Sequence, residues 1–309
     1  MRAEDVPFPR LRWEHEGRDW PLREHSRFLR IGPVHWHVQV LGQGTPAMLL
    51  HGTGASGHSF RALAPLLAEK FTLVIPDLPG QGFSQICQDF VPSLHGISTQ
   101  LSALLSALSL SPQLAVGHSA GAAVLARMTL DAHIAPQRLI GLCAALLPLR
   151  GAAMWMMPAA RYLAGSRVAA QLLARQAQHG DSVARLVAST GSRLDARELD
   201  LYRRLAQNPA HVAAVLSMLA AWDLEPLFAD LPRLATPLLL LAGSQDRAIP
   251  LWQQQQVQSR IPGCQLAVFR GAGHLLHEEQ PQPVAQAILQ AVTPSPASPM
   301  PSGSGGQPA

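Results

Sequence analysis

Hydrophobic positions along the chain follow two periods in turn. From Arg27 onward Phe28, Val34, Trp36, Val38 and Val40 stand among polar residues, which predicts two antiparallel strands with Ile31-Gly32-Pro33 as their turn. Continuous apolar runs follow at 47–50, 71–75, 114–116, 139–147, 237–243 and 264–269. They have the length and composition of strands buried on both faces. Helical spacing lies between them, at 58–69, at 94–110 where Ser111-Pro112 ends the helix, after 119, after 250 and from Pro283 to Val292. Strands alternating with helices predict an α/β protein with a mostly parallel central sheet and helices on both faces.

The rhythm stops between Pro148 and Leu231. Only helical patterns occur there, at 158–178, 181–190, 195–207 and 209–221, so 148–231 is expected to be an inserted helical cap on a core made of 28–147 and 232–293. The cap opens on Met154, Trp155 and Met156, whose soft apolar side chains either pack the cap onto the core, or line a large apolar pocket or touch a membrane surface. Arginines outnumber acids in the cap, and one or two of them are candidates to meet a substrate carboxylate. Residues 1–27 are polar and aromatic, a mobile arm or a strap over the sheet. Residues 294–309 are rich in Pro, Ser and Gly and are expected to be disordered.

Composition narrows the function. With 48% hydrophobic and 14% charged residues, 309 residues suffice to bury one large core. The net charge of +4 rests almost wholly on arginine, Lys70 being the one lysine, and no dense basic block with interleaved aromatics occurs, so no nucleic-acid partner is expected. Cys87, Cys143 and Cys264 fit neither a disulfide framework nor a zinc site. No apolar run reaches the length of a membrane span and the N-terminal stretch has no leader-like apolar core. The expected location is the cytoplasm, with peripheral membrane attachment left open.

The chemistry centres on Gly117-His118-Ser119-Ala120-Gly121, a Gly-x-Ser-x-Gly pattern between an apolar run and a small-residue helix. It predicts a serine on a sharp strand-to-helix turn, at a helix N-terminus that favours developing negative charge. The run 47–50 ends in His51-Gly52-Thr53-Gly54-Ala55, a loop able to offer the Thr53 N–H as an oxyanion donor beside the N–H of Ala120. Asp246 follows a later strand and His274, led by Gly271-x-Gly273, follows the last one. At one edge of a parallel sheet, Ser119, His274 and Asp246 would serve as nucleophile, general base and the acid that orients it. Asp223 and Asp230 are rival acids, and His277 is a rival base. His51 and His118 are candidates for the pocket or for hydrogen bonding. No histidine spacing there suits a metal, and the triad needs neither metal nor cofactor. Gly80-x-Gly82 lacks the third glycine of a dinucleotide site and is read as a structural loop that Asp77 caps or braces.

The order Ser119, Asp246, His274 and the motifs over 28–292 resemble the α/β-hydrolase superfamily. More narrowly, the stretches 20–28, 36–40, 50–55, 117–123, 190–192, 221–224 and 273–279 resemble the magnesium-chelatase accessory (BchO) family of bacteriochlorophyll biosynthesis. That resemblance implies the α/β-hydrolase fold with a cap, a place beside magnesium insertion into a tetrapyrrole, and an anoxygenic phototroph as source. Gln81 departs from the His or Arg that many hydrolases carry in this loop. Two functions follow: a serine hydrolase acting on an ester-like bond of an apolar small molecule, or a non-catalytic tetrapyrrole carrier or chelatase-assisting factor with a chelatase contact. A dehalogenase or epoxide hydrolase is disfavoured, since those need a carboxylate at the elbow.

Overall fold

The computed structural model describes residues 8, 10–87, 90–148 and 166–292. Met154, Trp155 and Met156, the start of the expected 158–178 helix and the tail 294–309 lie outside them. The strands are β1 (Ser26–Ile31), β2 (Val34–Leu41), β3 (Thr45–Leu50), β4 (Phe71–Pro76), β5 (Gln85–Ile86), β6 (Leu114–His118), β7 (Arg138–Leu142), β8 (Leu238–Gly243) and β9 (Gln265–Phe269). They form one sheet in the order β1-β2-β4-β3-β6-β7-β8-β9, with β5 also paired to β2. The β1–β2, β2–β4 and β2–β5 pairs are antiparallel and the rest are parallel.

Helices α1 (Ala64–Ala68), α2 (Leu94–Ala107) and α3 (Ala120–Leu130) follow early strands. The cap contributes α4 (Arg167–Gln176), α5 (Ser182–Ser189), α6 (Ala196–Ala206), α7 (Pro209–Ala220) and α8 (Glu225–Asp230). The chain closes with α9 (Leu251–Arg260), α10 (Leu276–Glu279) and α11 (Pro281–Val292). Strand geometry sends alternate side chains of β3 into two cores. Met48 and Leu50 pack with α2 and α3 through Leu101, Leu104 and Val124, while Ala47 and Leu49 pack with α1 and α11 through Leu67 and Ile288. Full burial of a Leu or Ile side chain is worth about 1.5–3 kcal/mol, so these two layers hold the sheet edge that carries the site.

Several boundaries differ from expectation. The run 139–147 is a strand only to Leu142, because Cys143 takes φ +45° and turns the chain off the sheet. The 58–69 helix is a 3₁₀ turn (Gly57–Phe60) followed by the short α1, whose start Pro65 fixes. α8 and α10 are additions, and α11 begins at Pro281. Residues 11–20 lie on the body as a strap. Leu11 and Trp20 are buried with Phe83, Leu201 and Leu205, and Asp19 pairs with Arg204 on α6.

Candidate active site

Ser119 sits at the turn from β6 into α3 with φ +50° and ψ −117°, a backbone conformation costly for a residue with a side chain. Two close approaches enforce the turn. A Cβ on Gly117 would lie 2.4 Å from the Ala122 nitrogen, and one on Gly121 would lie 2.2 Å from the Leu50 carbonyl oxygen. Ser119 N–H donates to the Leu142 oxygen (2.9 Å), while its own carbonyl accepts from Ala122 and Ala145 (3.1 Å each). The hydroxyl therefore stands on a backbone pinned from both neighbouring segments.

Ser119, Thr53 and Ala120 lie at the floor of one cavity of about 400 Å³. Its walls are Leu147 and Pro148 after β7, Leu219, Trp222, Leu224 and Phe228 from the cap side, and Ile249 and Trp252 beyond β8, with Gln253 and Gln256 at the polar end. Among the described residues no charged side chain lines it, so the arginine expected to meet a substrate carboxylate is not found there. Neither the Thr53 nor the Ala120 N–H has a hydrogen-bond acceptor among the described residues. Both amides remain available to an oxygen bound beside Ser119.

His274 and Asp246 come together at the same edge. His274 Nδ1 donates to Asp246 Oδ2 at 2.9 Å, and Asp246 Oδ1 accepts the Ala248 and Ile249 N–H groups, each at 2.8 Å. The carboxylate is thereby fixed in place and leaves His274 Nε2 as the free ring nitrogen. No hydrogen bond joins His274 Nε2 to Ser119 Oγ among the described residues; such contacts often tighten only around bound substrate. The rivals lie elsewhere. Asp223 accepts the Glu225 N–H, Asp230 pairs with Arg127 and Arg233, and His277 is fully buried.

The two pocket histidines are structural. His51 Nδ1 donates to the Gly52 oxygen and its Nε2 accepts from Leu78 N–H, which ties the Thr53 loop to the loop after β4. His118 Nε2 donates to the His274 carbonyl at 3.0 Å, and the two rings pack at a tilt of 54° with centroids 4.7 Å apart. Burial, then His277 and His274, push the His118 pKa well down, so it remains neutral behind the loop it supports. Cys143, Asp246 and His274 bring a sulfur, a carboxylate oxygen and a ring nitrogen within 4.8 Å of one another. Burial and then Asp246 push the thiol pKa well up, which keeps the sulfur a neutral donor, bonded to the Gly273 oxygen, rather than a thiolate ligand.

Three supports escaped the sequence reading. Gln81, fully buried, accepts the Gly54 N–H (2.8 Å) and points its amide at Met218 Sδ (3.1 Å), bracing the Thr53 loop against the cap. Ser192 accepts the Leu275 N–H (2.8 Å), and Thr190 accepts the Arg247 N–H (3.0 Å), so one cap turn holds both the histidine and the aspartate loops. Cys143 is the third. Two of them carried a prior signal, Thr190-Gly191-Ser192 as one of the stretches that mark the resemblance and Gln81 as a departure from the residues usual in its loop, but neither signal named the contact. Asp77 does brace its loop: it accepts Gly57 N–H, Phe83 N–H and His37 Nδ1. Burial opposes its charge, but His37 and its other partners outweigh this and bring its pKa to about 2.

Comparison with known proteins agrees with the fold. The family described as "Alpha/beta hydrolase family" matches residues 47–287. A relative 36% identical over 274 residues, covering 88% of this chain and 95% of its own length, is the "Magnesium-chelatase 30 kDa subunit" of Rhodobacter capsulatus. Another, 29% identical over 83% of this chain and 96% of its own length, is the "Pimeloyl-[acyl-carrier protein] methyl ester esterase" of Vibrio vulnificus. Among solved structures, an alpha/beta hydrolase fold protein from Burkholderia ambifaria superposes with a TM-score of 0.72 at 28% identity, covering 86% of this chain and 100% of the other.

Proposed function

The chain belongs to the α/β-hydrolase family, and we propose that it is a serine hydrolase that cleaves an ester-like bond of an apolar small molecule. The observation that carries this reading is the 2.9 Å His274–Asp246 hydrogen bond at the edge where Ser119 and two unpaired amides share one apolar cavity. In the proposed reaction Ser119 Oγ attacks the carbonyl carbon while His274 Nε2 takes the hydroxyl proton. The carbonyl oxygen becomes an oxyanion held by the Thr53 and Ala120 N–H groups. Its collapse breaks the bond to the leaving alkoxide, which takes the proton from His274. Water, deprotonated by His274, then attacks the acyl carbon and releases the acid, and His274 returns the proton to Ser119 Oγ. Asp246 keeps the proton on Nδ1 and stabilises the imidazolium. The described part of the cavity wall carries no charge, which favours a neutral acyl or alkoxy group.

The similarity to a magnesium-chelatase subunit supports a setting for this chemistry beside magnesium insertion into a tetrapyrrole, in contact with the chelatase. It equally supports a second reading, in which the protein assists the chelatase or carries a tetrapyrrole without turning over a substrate. One pair of strains separates them: the native host with Ser119→Ala at the chromosomal locus, beside a full deletion, scored for bacteriochlorophyll. Loss of pigment in both supports catalysis; normal pigment in the point variant alone supports the assisting role.

A further inference from the structure

Two cap helices expose large apolar side chains beside arginines. A helix packed on a protein body ordinarily turns its polar side outward. α4 buries Ala170 and Ala174 and packs on α7, yet its outward face presents Val168 and Leu172 in line with Arg175. α5 buries Val183 and Val187 and presents Leu186 beside an exposed Arg185. With Leu173, four of the eight large hydrophobic side chains exposed among the described residues fall on these two helices, and Leu172 and Leu186 are 58% and 65% exposed. Scattered apolar residues on a surface need no explanation, but a cluster does.

Charge indicates what meets it. Between Ser166 and Arg193 the sequence has one acid, Asp181, against four arginines. Leucines flanked by guanidinium groups suit a boundary that is apolar at depth and anionic at its rim. The surface is also placed usefully. α5 is followed by Thr190, whose carbonyl accepts the Arg247 N–H on the Asp246 loop, and Trp252, 57% exposed, lies five positions further on and lines the apolar cavity. Among the described residues no single helix is long and apolar enough to cross a membrane.

We propose that the outward face of α4 and α5 docks the protein on an anionic lipid bilayer, with Leu172 and Leu186 entering the acyl boundary and Arg175 and Arg185 meeting lipid phosphates. The proposal does not depend on the catalytic reading. It is tested by flotation of the full chain with vesicles of equal parts phosphatidylglycerol and phosphatidylcholine, and with phosphatidylcholine alone. The expected result is binding to the anionic vesicles, about tenfold weaker on the neutral ones and reduced about tenfold by Leu172→Glu with Leu186→Glu. Arg175→Glu with Arg185→Glu is expected to do the same while leaving the leucines in place. Failure of the folded wild type to float with the anionic vesicles overturns the proposal, as does flotation unchanged in both double variants. Sedimentation showing a dimer that the leucine variant dissociates also overturns it, because the surface would then join two copies of the chain.

Discussion

Tyr202 on the cap helix α6 donates a 2.6 Å hydrogen bond to Glu278 of the core, just beyond His274. Arg61 pairs with both Glu278 and Glu198 of α6, so a buried polar cluster fastens the cap behind the candidate base. Burial pushes the Glu278 carboxyl up to about 7, against Arg61 and Tyr202, which favour its charge. A carboxyl raised in this way favours folding below its unfolded value of 4.5, and that contribution is lost as pH rises toward 7. Tyr202→Phe removes a donor to the charged form. It is expected to cost about 1–3 kcal/mol at about pH 8 and less at about pH 5.5, as read from urea unfolding at the two conditions. An equal cost at both would show that Glu278 does not change charge between them.

His277 has no partner for either ring nitrogen among the described residues and packs against Phe60 and His118. Burial first, then Arg61 and His274, lower its pKa to about 3. A histidine held neutral in this way stabilises the fold above its unfolded value of 6.5. That contribution is lost as pH falls from 6.5 toward 3, at about 1.4 kcal/mol per pH unit. His277→Phe keeps the ring packing and is expected to flatten the acid limb of a stability-against-pH curve by about that slope. An unchanged limb would mean that other groups set it.

A Cβ on Gly52 would stand 2.9 Å from Ser119 Cβ and 3.0 Å from His118 Nδ1. Gly52→Ala is therefore expected to displace the serine or its loop and lower kcat for a p-nitrophenyl ester by about 100-fold, with stability changed far less. Full activity in this variant would remove Gly52 from the positioning of Ser119.

Asp246→Asn retains an oxygen for the Ala248 and Ile249 amides but presents an amide to His274 Nδ1 and so favours the wrong tautomer. The expected loss is about 10³–10⁴ in kcat with KM little changed, measured at steady state on the same ester.

The sheet and the order of its loops were legible because buried strands print their pattern directly: the runs 47–50, 71–75 and 238–243 leave no room for another reading. The elbow was legible because close packing at Gly117 and Gly121 excludes side chains. What stayed hidden depends on tertiary contact. Nothing local to Gln81 or Ser192 says that the first will hold the Gly54 N–H or the second the Leu275 N–H. His51 and His118 lie next to the chemistry in sequence, yet their rings turn into the core, where backbone groups need partners. The strand expected to run through Leu147 ends at Leu142 because a positive φ at Cys143, invisible in composition, redirects the chain to form the cavity wall.

Activation of Ser119 as a nucleophile by His274 is tested by incubating the folded chain with a fluorophosphonate and mapping the adduct by mass spectrometry. The expected result is a single phosphonyl group on the peptide containing Ser119, absent in Ser119→Ala and formed more slowly in Asp246→Asn. A folded wild type that takes no label, or label carried equally by Ser119→Ala, would contradict it.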